Sequence, residues 1–154
     1  VAIGTVGFSR DDRDNTINPT SGPFQRVQAE VAVPGGDLKY YRLTYLGQRF
    51  WPITRTGTLQ IGTTIGYADG YGGNDLPFYK NFYAGGVNSV RGFFTFGIGP
   101  RDEFGLAVGA TRQLLGNVEY YFPFPGADKD RSLRLSWFVD TGMVDDRYSL
   151  AELR

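Results

Sequence analysis

Two carboxylates, Glu119 and Asp140, and one arginine, Arg91, have the strongest claim to chemistry in this 154-residue chain. A carboxylate pair can run acid–base hydrolysis, as in glycosidases. Here no nucleophile motif, phosphate loop or convergent polar cluster accompanies the pair, so a catalytic role has little else to stand on. The chain has no histidine and no cysteine, which removes the usual general base, all thiolate chemistry and most zinc sites. Asp69-Gly70-Tyr71-Gly72-Gly73-Asn74-Asp75 faintly resembles a glycine-rich calcium repeat. Such repeats bind by stacking, and a single imperfect copy is present. Asp11, Asp12 and Asp14 are interleaved with Arg10 and Arg13 and read as a solvated turn. The sequence therefore predicts no enzyme, no cofactor and no metal.

Arg91 differs in kind. A guanidinium carries five donors in a fixed fork and stays charged at any working pH. By itself, a charged loop residue is ordinarily just solvated. Paired carboxylates facing it would make it an anchor instead, and the strands around Glu119 and Asp140 supply them by parity. Gly92, next in sequence, allows a tight backbone path beside it.

The elements that must hold these residues are strands. The chain has 22 Gly, 12 Phe, 10 Tyr and 2 Trp, a mixture that disfavours helix and suits strands joined by turns. Gln25 to Val33 alternates cleanly, with Val27, Ala29, Val31 and Val33 opposite Arg26, Gln28 and Glu30. Pro34-Gly35-Gly36-Asp37 reads as a turn. Leu38 to Trp51 follows, its pattern slipping near Gly47 where Arg49 falls in phase with the apolar set, which predicts a bulge. Gly57 to Tyr67 sets Leu59, Ile61, Thr63, Ile65 and Tyr67 against Gln60, Gly62, Thr64 and Gly66, a small polar set that suits a solvated interior. Ala110 to Phe122 carries Asn117 and Glu119 on its polar face, and Arg131 to Met143 carries Arg134, Ser136, Phe138, Asp140 and Gly142 on its own. Val1 to Phe8 is a sixth, shorter strand. Turn signals lie at 18–23, 54–57 and 126–130. Residues 68–106 read as one long loop, and loops of that length are usually functional.

Sixteen basic and sixteen acidic residues balance, so no nucleic-acid partner is expected. No apolar run is long enough for a membrane helix, which leaves a barrel open. Strands of about 9–11 residues span a bilayer when tilted, and aromatics near strand ends (Tyr40, Tyr41, Phe50, Trp51, Tyr120, Tyr121, Phe122) suit the interfacial girdles of outer-membrane barrels. The competing interpretation is a soluble ligand-binding β-barrel or sandwich. The polar, glycine-dotted face favours the membrane. Val1 to Phe8 lacks the features of a secretory signal, so the chain reads as a piece of a longer exported protein.

Gly86-Val87-Asn88-Ser89-Val90-Arg91-Gly92-Phe93 resembles the Val-Arg-Gly-Phe/Tyr signature of the BamA family of outer-membrane assembly factors and its relatives. Gly99-Pro100-Arg101-Asp102 resembles the continuation found in that family. Asn117 to Pro123, Phe138 to Gly142 and the turn Asn18 to Gly22 resemble further family segments, in order and at sensible spacing. The resemblance implies an all-β fold: an antiparallel transmembrane β-barrel segment, with six strands corresponding to strands eight to thirteen of a 16-stranded up-and-down parent. It implies that residues 1–154 are a partial barrel domain and that 68–106 is an extracellular loop folded into the lumen. Val90, Arg91, Gly92 and Phe93 would be the loop-anchoring motif, with Glu119 and Asp140 the lumen partners of the arginine. The implied function is folding and inserting β-barrel proteins at the bacterial outer membrane. The implied partners are outer-membrane lipids, unfolded client proteins and periplasmic lipoproteins. Related barrels with the same loop motif, TamA-like proteins and two-partner secretion transporters, are the alternative, as is a passive pore. The periplasmic repeats and the first and last barrel strands of such a protein are not within this sequence.

Overall fold

The computed structural model describes residues 2–33, 38–126 and 133–146. Six strands form one sheet: β1 (Ile3–Asp11), β2 (Gly22–Ala32), β3 (Tyr40–Pro52), β4 (Thr58–Gly70), β5 (Arg112–Pro123) and β6 (Arg134–Asp145). Every neighbour in sequence is an antiparallel neighbour in space, so the order is β1-β2-β3-β4-β5-β6. Among the described residues the only helical element is a single 3-10 turn, Phe78–Lys80, in the long connection between β4 and β5. The turn predicted at 34–37 and part of that at 126–130 lie outside the described residues.

The sheet has two unlike faces, because opposed residues in an antiparallel pair share a side. One row across the sheet reads Phe8, Val27, Tyr45, Ile65, Leu114, Met143; another reads Arg49, Ile61, Val118, Val139. Apart from Arg49 and the half-buried Tyr45, the side chains of these rows are large, apolar and exposed, Val139 by more than two thirds, as is Trp137 on the same face. An apolar face this extensive has no place in water on a soluble monomer. Aromatics bound it at both ends: Tyr41 and Tyr67, ring centroids 5.9 Å apart, at one, and Trp51, Tyr120, Phe122 and Trp137 at the other. Ten residue steps on β3 separate Tyr41 from Trp51, about 33 Å at the usual strand rise. Tilted by about 40°, that span is about 25 Å tall, the height of the apolar band on an outer-membrane barrel.

The other face carries Gln28, Thr44, Gly66 and Gln113 in one row and Phe24, Gln48, Gly62, Asn117 and Asp140 in another. It is not simply solvated, as its small polar residues suggested. The β4–β5 connection lies across part of it, and Gln60, Gln113 and Glu119 are buried while Gln28 stays exposed. Two glycines make the room. A side chain begun at Gly66 would meet the Phe82 ring at 2.5 Å, and one at Gly142 would meet the Val90 methyl at 2.6 Å. Ala84 and Ala110 of the connection form a small apolar cluster with Val144 of β6, and Ile98 and Leu115 pack on it.

Four expectations need correction. No bulge interrupts β3 at Gly47: the register with β2 and β4 runs unbroken through it. The Tyr45 hydroxyl leans over the vacant side of Gly47, and Arg49 points to the apolar face, its guanidinium 5.3 Å from the Trp51 ring centre. An arginine beside the aromatic rim can keep its head in water while its stem covers apolar surface. β1 runs to Asp11, three residues past its predicted end. β2 begins at Gly22 instead of Gln25, where the chain returns so close to Asp12 that a Cβ would fall 2.1 Å from its carbonyl oxygen, at φ +101°. The long loop is correspondingly shorter at its start and longer at its end, from residue 71 to 111.

The turn joining β1 to β2 is held by Asp14. Its carboxylate accepts the backbone N–H groups of Thr20 at 2.8 Å and Ser21 at 3.0 Å, and the Thr20 hydroxyl. The Thr20 hydroxyl bond, then the Ser21 N–H, draw its pKa down from 3.8 to about 2. A lowered carboxylate pKa contributes stability that is present above the ordinary value and lost as pH falls through the lowered one. The amide resonances of Thr20 and Ser21 should therefore titrate with a midpoint near 2; a midpoint at the ordinary 3.8 would show the turn is not built on this carboxylate.

A second prediction concerns the apolar face. Ile65 lies at mid-height and Leu135 beside Phe122 at the aromatic rim. A cation at the bilayer midplane costs about 2–4 kcal/mol and about 0–1 near the interface. In the intact barrel, Ile65→Arg should lower the unfolding free energy in lipid vesicles several-fold more than Leu135→Arg. Equal losses would remove the assignment of this face to lipid.

Candidate functional site

The site forms where β5 and β6 pair. Asn117 stands opposite Asp140, Glu119 opposite Phe138 and Tyr121 opposite Ser136, all on the covered face. Period-two alternation puts them there, since Leu114, Val118, Tyr120 and Trp137 take the apolar face. The Asp140 side chain is 2% exposed. Such a carboxylate cannot stay ionised without donors, because burial of an uncompensated charge is expensive.

Arg91 supplies them. Its Nε donates to Asp140 Oδ2 at 2.7 Å and its Nη2 to Oδ1 at 2.8 Å, a fork on both oxygens. Its own backbone N–H donates to Oδ2 at 2.9 Å. The same Nη2 lies 3.2 Å from Glu119 Oε2. Asn117 Nδ2 is a further donor to Asp140, and the Ser136 hydroxyl donates to Glu119 Oε1 at 2.6 Å. The guanidinium carbon sits 3.5 Å from the centre of the Phe138 ring. Cation, two anions and an aromatic face thus enclose one another, and a cation over a ring gains most when desolvated.

The rest of the motif has divided roles. Val90 is buried, filling the hollow above Gly142. Gly92 has φ +88° with open space around it, so backbone conformation, not crowding, favours glycine there. Phe93 is 56% exposed. Beside Arg91 lies a cavity of about 360 Å3, lined by Gln48, Gln60, Asn88, Asn117 and Tyr121 among others.

Sequence reasoning placed Arg91, Glu119 and Asp140 together. It assigned Asn117, Ser136 and Phe138 to the same face and gave them no part in the site. The signal for Phe138 was present: an aromatic in polar phase, two residues before an acid. The acid-rich segments set aside from the sequence are engaged locally. Arg10 pairs with Asp12 at 2.5 Å and Arg13 with Asp11 at 2.6 Å, and Asp69 accepts the Gly70 N–H at 2.8 Å.

The profile of the Omp85 superfamily domain matches residues 2–151. The chain is 42% identical over 148 residues to the outer membrane protein assembly factor BamA of Neisseria meningitidis serogroup B, covering 93% of this chain and 19% of that protein. It is 30% identical over 148 residues to the BamA of Nitratidesulfovibrio vulgaris, covering 94% of this chain and 18% of that one. It is also 30% identical over 141 residues to the sorting assembly machinery 50 kDa subunit of Saccharomyces cerevisiae, covering 89% and 28%. The crystal structure of BamA from Haemophilus ducreyi lacking POTRA domains 1-3 superposes with a TM-score of 0.85 at 27% identity, over 92% of this chain and 29% of that one. The chain spans about a fifth of the length of the BamA relatives it matches.

Removing Arg91 strands a buried carboxylate, and breaking a confined ion pair from one side typically costs about 3–5 kcal/mol. Arg91→Ala in the intact barrel should lower its unfolding free energy by that order in denaturant titrations. Arg91→Lys should recover only part, since an ammonium cannot fork onto both Asp140 oxygens while also reaching Glu119. Full recovery by lysine would mean that charge alone matters.

Proposed function

Since the chain belongs to the Omp85 superfamily and is a segment of an outer-membrane barrel, we propose that its parent folds and inserts β-barrel proteins at the bacterial outer membrane, and that Arg91 anchors the β4–β5 loop inside the barrel for that task. The observation that carries the second half is the fork of Arg91 on Asp140, with Glu119 beside it, at the Val-Arg-Gly-Phe segment. The first half is supported by the similarity to BamA proteins of two bacteria.

In this reading the chemistry is noncovalent. Both carboxylates are committed to one guanidinium, so neither is a free acid or base. The covered face is the lumen wall, residues 1–154 are part of the barrel domain, and the loop enters the lumen from the extracellular side. A parent barrel in the lipid of the outer membrane offers strand edges to unfolded clients, whose backbone groups must be paired before they enter the bilayer. Periplasmic lipoproteins are the expected companions. An anchored loop holds the lumen in one shape while the wall elsewhere works.

The test uses the full-length parent in lipid vesicles with an unfolded client barrel. The parent should accelerate client folding, Arg91→Ala should slow it by at least about tenfold if the anchor's few kcal/mol are felt in the working state, and Arg91→Lys should fall between. A parent that conducts ions without accelerating folding would make this barrel a passive pore. A parent that accelerates folding equally with Arg91→Ala would separate the anchor from the activity.

A further inference from the structure

The β4–β5 connection carries another ionic contact, on β2 instead of β5 and β6. Lys80, the last residue of the 3-10 turn, donates from Nζ to Glu30 Oε1 at 2.6 Å. Glu30 lies on the covered face of β2, directly opposite Arg42 of β3. The same Oε1 accepts the Tyr40 hydroxyl at 2.5 Å, and Tyr40 is fully buried. The ammonium lies 5.3 Å from the Tyr40 ring centre. Two residues on, Phe82 is seated over Gly66 of β4, with the Arg42 guanidinium 4.3 Å from its ring centre. The Lys80 and Glu30 side chains are 22% and 14% exposed, well out of bulk water.

This contact shares no residue with the other. Lys80 engages β2 and β3, whereas Arg91 engages β5 and β6. Between them stand Gly85 and Gly86, with φ of +108° and +93°. A segment fixed at one point can pivot about it. Fixed on two separate strand pairs, it has a direction as well as a position. Resting on the reading of Arg91 as an anchor, we propose that Lys80 and Glu30, with Tyr40 as the second donor, form a further latch that positions the start of the loop on β2 and β3 independently of the Arg91 latch on β5 and β6.

The two latches differ in how tightly they should hold. When Lys80 leaves, Glu30 keeps the Tyr40 hydroxyl and the ammonium returns to water. When Arg91 leaves, Asp140 keeps only Asn117 in a site with 2% exposure. The Lys80 latch is therefore the weaker, and the start of the loop can loosen while its tip stays seated.

Amide hydrogen exchange on the full-length parent in lipid vesicles tests this. The amides of Lys80, Asn81 and Phe82 are bonded to the carbonyls of Pro77, Phe78 and Ala110, and the tip amides of Ser89 and Arg91 to Gly86 and Asp140. Lys80→Met keeps the stem and loses the charge. It should speed exchange at residues 80–82 by about tenfold, the least that loss of a hydrogen bond between charged groups ordinarily brings, and leave 89–91 unchanged. Glu30→Gln, which retains an acceptor for Tyr40, should do the same if Lys80→Met fails to fold. Arg91→Ala should loosen 89–91 and spare 80–82. Unchanged exchange at 80–82 in both single variants, or loosening of both segments together in any one of them, would overturn the independent latch. Exchange is read without any client, so a failed latch and a failed assembly function are distinguishable.

Discussion

A buried carboxylate that must stay ionised organises this structure. Asp140 takes three hydrogen bonds from Arg91 and another from Asn117, in a place where its side chain is 2% exposed. Ordering the long connection between β4 and β5 costs conformational entropy for every residue fixed. Few apolar residues of that connection are buried to offset it: Phe82, Ala84, Val90 and Ala110 are seated, while Val87, Phe94 and Phe104 are more than four fifths exposed. Burial of a handful of small groups cannot by itself fix such a length of chain. The charge–charge contact adds a penalty for leaving, because release abandons a charge that water cannot easily reach.

The wall is shaped for this occupant. Strand alternation alone makes one face apolar and the other polar, but a polar face of full-sized residues would leave the loop no depth. Gly66 and Gly142 remove side chains where Phe82 and Val90 descend. The same glycines weaken the strands that carry them, since glycine loses more entropy on folding and packs nothing against its neighbours. For Gly66, pairing on both sides compensates: β4 is flanked by β3 and β5 along nearly its whole length. Glycine, loop and register are thus consistent with one another.

How much of this was legible in the sequence follows from its physical origin. Face assignment was legible, because a period of two is written residue by residue, and Glu119 and Asp140 could be placed on one face of adjacent strands from the alternation alone. The reading failed where a residue's chemistry and its depth compete. Arg49 in an apolar phase looked like a register slip, yet beside Trp51 at the rim an arginine is at home on the outer face. Strand ends were misjudged where a glycine or proline serves a strand instead of a turn, as at Gly22 and Pro23, whose carbonyl accepts the Asp12 N–H at 3.0 Å. Lys80 and Glu30 were beyond reach altogether. They are fifty positions apart, and no local pattern ties a lysine in a loop to one acid among many.

What the Arg91 contact achieves is orientation more than strength. A point charge near Asp140 would satisfy the carboxylate from many directions. The fork of Nε and Nη2 fixes the plane of the guanidinium, and the Phe138 ring beneath it fixes the side from which it approaches. The backbone N–H of the same residue, bonded to the same oxygen, then carries that orientation from the side chain into the main chain. Glu119, reached by the far nitrogen and itself held by Ser136, blocks rotation about the fork. Each contact removes one remaining freedom of the loop tip. That is why the site draws on both strands and both kinds of donor, where a single carboxylate facing a lysine would have neutralised the charge and left the tip free to turn.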